Sequence, residues 1–149
     1  MRSFLGVLAL SVFAVLALGC EGFAVVPPRT VSAALRETAN RGPGTTLRLA
    51  DVTKFEWERV FWFQCYTQRD EVEAALGFEW PGFDHYELQE TDSYSLVVFV
   101  GNEEVVRAEK LRRGAGEFVP EVSGKPFTPA AARFVVENRG GVNLLAPAS

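Results

Sequence analysis

The stretch YSLVVFVGNEEVVRAEKL, residues 94–111, decides the fold. A β-rich run from Tyr94 to Val100 and a second run from Glu103 to Leu111 flank the pair Gly101-Asn102. Glycine and asparagine are common in two-residue hairpin turns, so two strand-forming runs joined by this pair predict an antiparallel hairpin. The rest of the domain has to be built around this hairpin.

The segments before the hairpin predict one more strand and one helix. Large side chains recur at every second position, which predicts a strand over residues 55–64; they are Phe55, Trp57, Arg59, Phe61 and Phe63. The run Thr67-Gln68-Arg69-Asp70 is typical of a capping box and predicts a helix that ends at Leu76, before Gly77.

The outer segments predict further short elements. Thr30 is a candidate N-cap for a helix over residues 31–38, residues 47–49 are extended, and residues 118–122 form a short strand. Near the end, Thr128-Pro129 predicts either a helix through the three alanines or a short helical turn before a hairpin of residues 134–136 and 142–145. We favour the second interpretation. The predicted fold is α+β, with a single antiparallel sheet and one or two short helices packed on one face.

Residues 78–92 form a predicted loop that is rich in aromatic side chains. Trp80, Phe83 and Tyr86 are candidates for contact with a protein partner, because tryptophan and tyrosine are enriched at interface hot spots. The other interpretation, which we favour, is that the loop folds over the sheet and its rings fill the core.

The chain begins with MRSFLGVLALSVFAVLALGC, residues 1–20. Arg2 followed by an apolar run of this length has the layout of an export signal, and the run is short for a membrane span. An ordinary cleaved secretory signal or an uncleaved anchor are the alternatives.

The end of this stretch, Leu16-Ala17-Leu18-Gly19-Cys20, resembles the lipobox of bacterial lipoproteins. The resemblance implies that residues 1–19 are a signal peptide and that Cys20 receives a diacylglyceryl group, with palmitate as a typical acyl chain. It also implies that the exported protein is held on the membrane by lipid, and two or three acyl chains give stable anchoring. Glu21 is not the aspartate that typically retains such proteins in the inner membrane, so the outer membrane is implied if the cell is Gram-negative.

Residues 20–30, which include Pro27-Pro28, then form a tether, and residues 31–149 form one globular domain. If Cys20 carries lipid, Cys65 has no partner for a disulfide within the chain.

The middle of the chain is similar to a group of small, largely uncharacterised bacterial lipoproteins. The similarity covers residues 47–111 and rests on FEWERV at 55–60, Phe63, Tyr66-Thr67, Leu76-Gly77, Trp80 and LVVFV at 96–100. Cys65 departs from the pattern of this group, in which the residue before the tyrosine is commonly proline. The group implies an architecture and a location, and no defined activity.

Charge and composition exclude several classes of function. Fifteen basic and nineteen acidic residues give a net charge of −4, without a basic stripe, so we expect no nucleic-acid partner. His85, the one histidine, has too few neighbouring nitrogen and sulfur ligands for a structural zinc site. The paired acids Glu56 and Glu58 are typical of a solvated strand face. We therefore expect no metal, no cofactor and no catalytic residue.

These observations predict a lipid-anchored envelope lipoprotein that binds another envelope protein and is not an enzyme. The alternative is a small hydrolase or thiol-dependent enzyme that uses Cys65 with His85.

Overall fold

A computed structural model describes residues 30–114 and 116–149. The predicted signal peptide, Cys20 and residues 20–29 of the tether lie outside the described residues, as does Ala115. The helices are α1 (Val31–Asn40), α2 (Leu49–Val52) and α3 (Arg69–Leu76), with 3₁₀ helices at Pro81–Tyr86, Leu88–Glu90 and Pro120–Val122. The strands are β1 (Thr46–Arg48), β2 (Arg59–Phe63), β3 (Tyr94–Gly101), β4 (Glu104–Arg112), β5 (Arg133–Arg139) and β6 (Val142–Pro147).

The strands of the described residues form two antiparallel sheets of three strands each, in the orders β1-β5-β6 and β2-β3-β4. The fold is therefore α+β. The prediction of a single sheet with its helices on one face is wrong, because there are two sheets and α1 and α3 pack on opposite faces of β2-β3-β4. The two hairpins, β3-β4 and β5-β6, were both expected from their local sequences. Which sheet each one joins depends on contacts between distant segments, and no local pattern encodes them.

In the β2-β3-β4 sheet, β2 and β3 are buried on both faces, whereas the edge strand β4 is mostly exposed. One face packs against the β1-β5-β6 sheet and α1 through side chains that include Trp62, Phe99 and Phe134. The other face packs against α3 and the segment 78–92 through a second cluster that includes Phe63 and Phe83. The β2-β3-β4 sheet is therefore the central layer of the domain, which explains why β3 is apolar at almost every position.

Helix α1 begins where its cap predicts. The Thr30 side chain accepts a hydrogen bond from the backbone N–H of Ala33 at 3.2 Å. A second group stabilises the same helix end, because the Glu109 carboxylate on β4 accepts a hydrogen bond from the Ser32 backbone N–H at 3.0 Å. The helix therefore begins beside the exposed edge of the central sheet.

The central hairpin is confirmed, but its turn lies one residue later than predicted. Gly101 pairs with Glu104, so the turn residues are Asn102 and Glu103, with φ of 51° and 59°. Positive φ at both positions is the type I′ geometry that matches the twist of a hairpin. A register shift follows, since Val100 pairs with Val105 and Phe99 with Arg107. The bulge leaves Val106 without a partner on β3.

The predicted strand over 55–64 is too long, because β2 begins at Arg59. Phe55 and Trp57 pack with Val60 and Trp62 on one side of the sheet, whereas Phe61 and Phe63 pack on the other. The chain therefore changes face before β2. Aromatic residues alternate along residues 55–63 even though residues 55–58 are not part of the strand, because aromatic side chains pack on both faces of the sheet.

Helix α3 spans the predicted residues and ends at Gly77, which has a φ of 87°. Its capping box lies one residue later than predicted: Gln68 is the N-cap, and its backbone N–H donates to the Glu71 carboxylate at 2.9 Å.

The C-terminal interpretation is confirmed in its main feature. A turn at 128–131 precedes the β5-β6 hairpin, and the Thr128 carbonyl accepts the backbone N–H of Ala131 at 3.0 Å. The strand predicted over 118–122 is wrong. Phe118 makes one isolated parallel bridge to Leu145, and Pro120 starts a 3₁₀ helix because it has no N–H to extend a ladder.

Candidate functional site

The predicted partner-binding aromatics lie mostly inside the domain. Phe83 is fully buried, Trp80 is 8% exposed, and Tyr86 is half-buried. The Trp80 ring lies 5.8 Å from the Phe83 ring and 5.3 Å from the Tyr86 ring. This position fits the favoured interpretation, in which the segment 78–92 covers the sheet. Of the three predicted contact residues, only Tyr86 is more than slightly exposed. Use of these residues by a partner stays a prediction.

Arg69 and Glu73 on α3 hold this segment in place. The Glu73 carboxylate accepts the Trp80 backbone N–H at 2.9 Å, and Arg69 donates to the Trp80 carbonyl at 3.2 Å. Arg69 also pairs with Asp84 and with Glu73. Hydrogen bonds to these two carboxylates raise the pKa of Arg69. The segment is thus fixed by backbone hydrogen bonds as well as by its buried rings.

The structure places Cys65 and His85 in different surroundings. Cys65 is a half-buried free thiol that lines a cleft of about 370 Å³ beside Arg113 and Glu117. His85 is exposed on the segment 78–92, with its Nδ1 3.3 Å from the Gly82 carbonyl oxygen, and it does not line that cleft. A cysteine–histidine pair needs its two side chains within hydrogen-bond reach. No such contact joins them in the described part of the chain.

A larger cleft lies at the turn end of the central hairpin. We call it the hairpin cleft. It has a volume of about 550 Å³ and is open to solvent. Its walls come from the segment 50–58, the β3-β4 turn and the loop before β5, and its lining residues are Ala50, Thr53, Phe55, Glu56, Trp57, Glu58, Gly101, Asn102, Val106 and Pro129.

Aromatic packing fixes one wall of the hairpin cleft. Phe55 and Trp57 meet the buried ring of Phe99 edge-on, with centroid distances of 5.0 Å and 5.3 Å. The Trp57 indole N–H donates to Thr53 Oγ1 at 3.0 Å. The cost of moving either ring away from the core makes this wall rigid.

The facing wall is formed by the bulge of β4. Val106 is 45% exposed, which makes it one of three large apolar side chains of the described residues that face solvent. A side chain at Gly101 would reach the space between the walls, since a Cβ there would lie 3.4 Å from Val106 Cγ1 and 3.9 Å from Trp57 Cα. Glycine at 101 therefore leaves the space between the two walls unfilled.

Two carboxylates line the hairpin cleft. Glu56 and Glu58 are both exposed, and within the described residues neither side chain has a hydrogen-bond or ion-pair partner. Arginine or lysine is absent from the lining residues. The cleft thus combines apolar walls with uncompensated negative charge.

Sequence reasoning assigned Glu56 and Glu58 to a solvated strand face and did not single out Val106. The alternation of acids and aromatics in Glu56-Trp57-Glu58 is a signal of such a wall. The bulge that exposes Val106 has no comparable signal, because the run 103–111 has the composition of an ordinary strand.

Protein-family models, curated proteins and solved structures were compared with this chain, and none of the three comparisons finds a match. Over residues 30–114 and 116–149, no helix is long and apolar enough to cross a bilayer. The same residues bring together no group of three histidine, cysteine or acidic side chains that could hold a metal ion.

Proposed function

We propose that this protein is an exported lipoprotein, anchored to the membrane through lipid on Cys20, whose domain binds another envelope protein without catalysing a reaction. The location rests on the lipobox-like sequence that ends at Cys20, and an outer-membrane position follows if the cell is Gram-negative. The single observation that supports binding is the hairpin cleft, an open concave surface with an aromatic wall facing the exposed Val106.

The hairpin cleft is better suited to a protein segment than to a small substrate. Small-molecule sites typically enclose most of their ligand and place a few polar groups deep inside. Here the carboxylates of Glu56 and Glu58 stand exposed at the surface, and Val106 faces solvent. Such an apolar centre with a polar rim is the usual anatomy of a protein interface.

The thiol-dependent enzyme is the second candidate, and the separate placement of Cys65 and His85 disfavours it. Cys65→Ala combined with His85→Ala should leave the cellular phenotype of the wild-type protein intact. A loss of that phenotype at normal protein abundance would instead favour the enzyme.

Metabolic labelling tests the anchor. Radiolabelled palmitate should enter the wild-type chain and should not enter the Cys20→Ser variant. The variant should also leave the membrane fraction. Label that survives in Cys20→Ser would refute attachment at this residue.

Co-purification tests the binding function, with two exposed valines as a matched pair. Val106 lies in the hairpin cleft, whereas Val142 is 39% exposed on β6 of the other sheet. The tagged full chain, solubilised in mild detergent, should retain a partner when Val142 is changed to Arg and lose it when Val106 is changed to Arg. Equal retention by both variants would contradict a binding role for the cleft.

A further inference from the structure

The charge of the hairpin cleft restricts what can bind there. Glu56 and Glu58 lie in its lining, and Glu103 and Glu104 are exposed at the adjacent hairpin turn. Lys54 is exposed next to Phe55 in sequence but is not among the lining residues. Acidic groups of a ligand would be repelled here, and cationic groups would be attracted.

The apolar wall sets a second requirement. Phe55 already accepts a cation on its ring, since the guanidinium of Arg107 lies 5.1 Å from the ring centroid. Arg107 itself is occupied, because its Nε donates to the Glu109 carboxylate at 2.8 Å. An incoming lysine or arginine would lay its apolar stem along such a wall and place its charged head at a carboxylate.

We infer that the hairpin cleft takes a segment of the partner protein in which arginine or lysine is flanked by apolar residues. The cationic heads pair with Glu56 and Glu58, and the apolar neighbours contact Phe55 and Val106. This inference rests on the proposed function and names the class of partner for the same surface. The charge complementarity of the cleft favours this occupant over an acidic segment.

The three tryptophans supply a built-in readout. Trp57 lines the cleft, Trp62 is buried between the sheets with its Nε1 2.7 Å from Ser95 Oγ, and Trp80 lies in the segment 78–92. The sequence contains no others. Each indole N–H gives one signal in an NMR spectrum of the full chain, purified in a non-ionic detergent and labelled with ¹⁵N at tryptophan.

The probes are three synthetic peptides: GSLRLRLSG, its acidic counterpart GSLELELSG, and GSSRSRSSG, which lacks leucine. GSLRLRLSG should shift the Trp57 signal and leave those of Trp62 and Trp80 in place. GSLELELSG should cause no shift at the same concentration, and GSSRSRSSG should bind more weakly than GSLRLRLSG because it loses the apolar contacts.

Neutral substitutions test the carboxylates. Glu56→Gln with Glu58→Gln should raise the dissociation constant of GSLRLRLSG by about two- to thirty-fold, the range for two exposed ion pairs. Glu79→Gln with Glu90→Gln changes net charge equally at exposed positions outside the cleft and should change the constant by less than about two-fold.

Equal binding of GSLRLRLSG and GSLELELSG would overturn the inference, as would a shift confined to Trp62 or Trp80. If Val106→Arg abolishes co-purification of a partner but GSLRLRLSG leaves Trp57 unmoved, the proposed function stands and this inference falls. If Val106→Arg has no effect and the peptide leaves Trp57 unmoved, both fall.

Discussion

Replacement of Trp80 by alanine separates the two interpretations of the segment 78–92. The Trp80 side chain is 8% exposed and packs against the rings of Phe83 and Tyr86. Its backbone N–H and carbonyl bond to Glu73 and Arg69, and alanine keeps both of these bonds. The cost of Trp80→Ala is therefore that of the ring alone.

Removal of a buried tryptophan or phenylalanine ring typically costs 3–5 kcal/mol. Because Tyr86 is half-buried and can partly fill the space, we expect a value near the lower end, about 3 kcal/mol. This is a large share of the roughly 5–15 kcal/mol that stabilises a domain. Urea unfolding followed by circular dichroism gives the free energy of unfolding, and the remaining tryptophans provide a second probe.

Tyr66→Ala is the matched control, since Tyr66 is 55% exposed. Its φ of 66° applies equally to tyrosine and alanine, so the free energy of unfolding should change by less than about 1 kcal/mol. A Trp80→Ala variant with nearly wild-type stability that no longer binds its partner would refute our assignment of Trp80 to the core.

Three further predictions concern single groups. Glu103→Gly should raise the free energy of unfolding by about 1 kcal/mol, because Glu103 has a φ of 59° that glycine adopts without strain. Ser95→Ala should lower the free energy of unfolding by about 1–3 kcal/mol, since the buried indole N–H of Trp62 loses its acceptor. The same substitution should cost less in a Trp62→Phe background, where the indole N–H is already absent. Hydrogen bonds from its own backbone N–H and from Arg139 lower the pKa of Glu121 in the folded protein. The ionised carboxylate therefore contributes fully to the stability of the fold above pH 4.5, and this contribution is lost as the pH falls through the lowered pKa. Glu121→Gln should therefore flatten the loss of stability on the acidic side of pH 4.5.

The same unfolding measurements can contradict these predictions. A lower stability for Glu103→Gly would argue against the type I′ turn, and an equal cost of Ser95→Ala in the Trp62→Phe background would argue against the buried hydrogen bond. An unchanged acid-side profile for Glu121→Gln would exclude any net effect of its pairing with Arg139.

Local features of the fold were predictable from sequence because local chemistry determines them. Thr30 and Gly77 act through hydrogen bonds and φ angles at their own helix ends. The hairpins at 94–112 and 133–147 each carry their own turn residues, so their partners are adjacent in sequence. The approximate positions of these elements can therefore be read from the local sequence.

The number of sheets was not predictable, because it depends on long-range pairing. Phe134 and Phe99 lie in different sheets yet share one core, and no pattern in either strand identifies the other. The segment 55–58 was wrongly predicted to be part of a strand for a related reason. When both faces of a sheet are buried, alternation no longer distinguishes a strand from an aromatic segment that crosses to the other face.

The candidate site was predictable only in part. The aromatic segment was recognised, but its composition fits a core as well as an interface, and burial alone distinguishes them. The hairpin cleft depends on the unpaired Val106 and on the open space at Gly101, which are properties of the folded backbone. The aromatic residues and the two carboxylates of the segment 55–58 were visible in the sequence, but as parts of a strand and not as the wall of a cleft.

Photo-crosslinking in living cells is the most direct test of the central claim that the hairpin cleft binds the partner. A photoreactive residue is placed at Val106 in the cleft, at Tyr86 in the segment 78–92, or at Val142 on β6. We predict a specific protein adduct from Val106, mapped to a basic and apolar segment of the partner, and none from Val142. Adducts from Tyr86 or Val142 with none from Val106 would contradict the account.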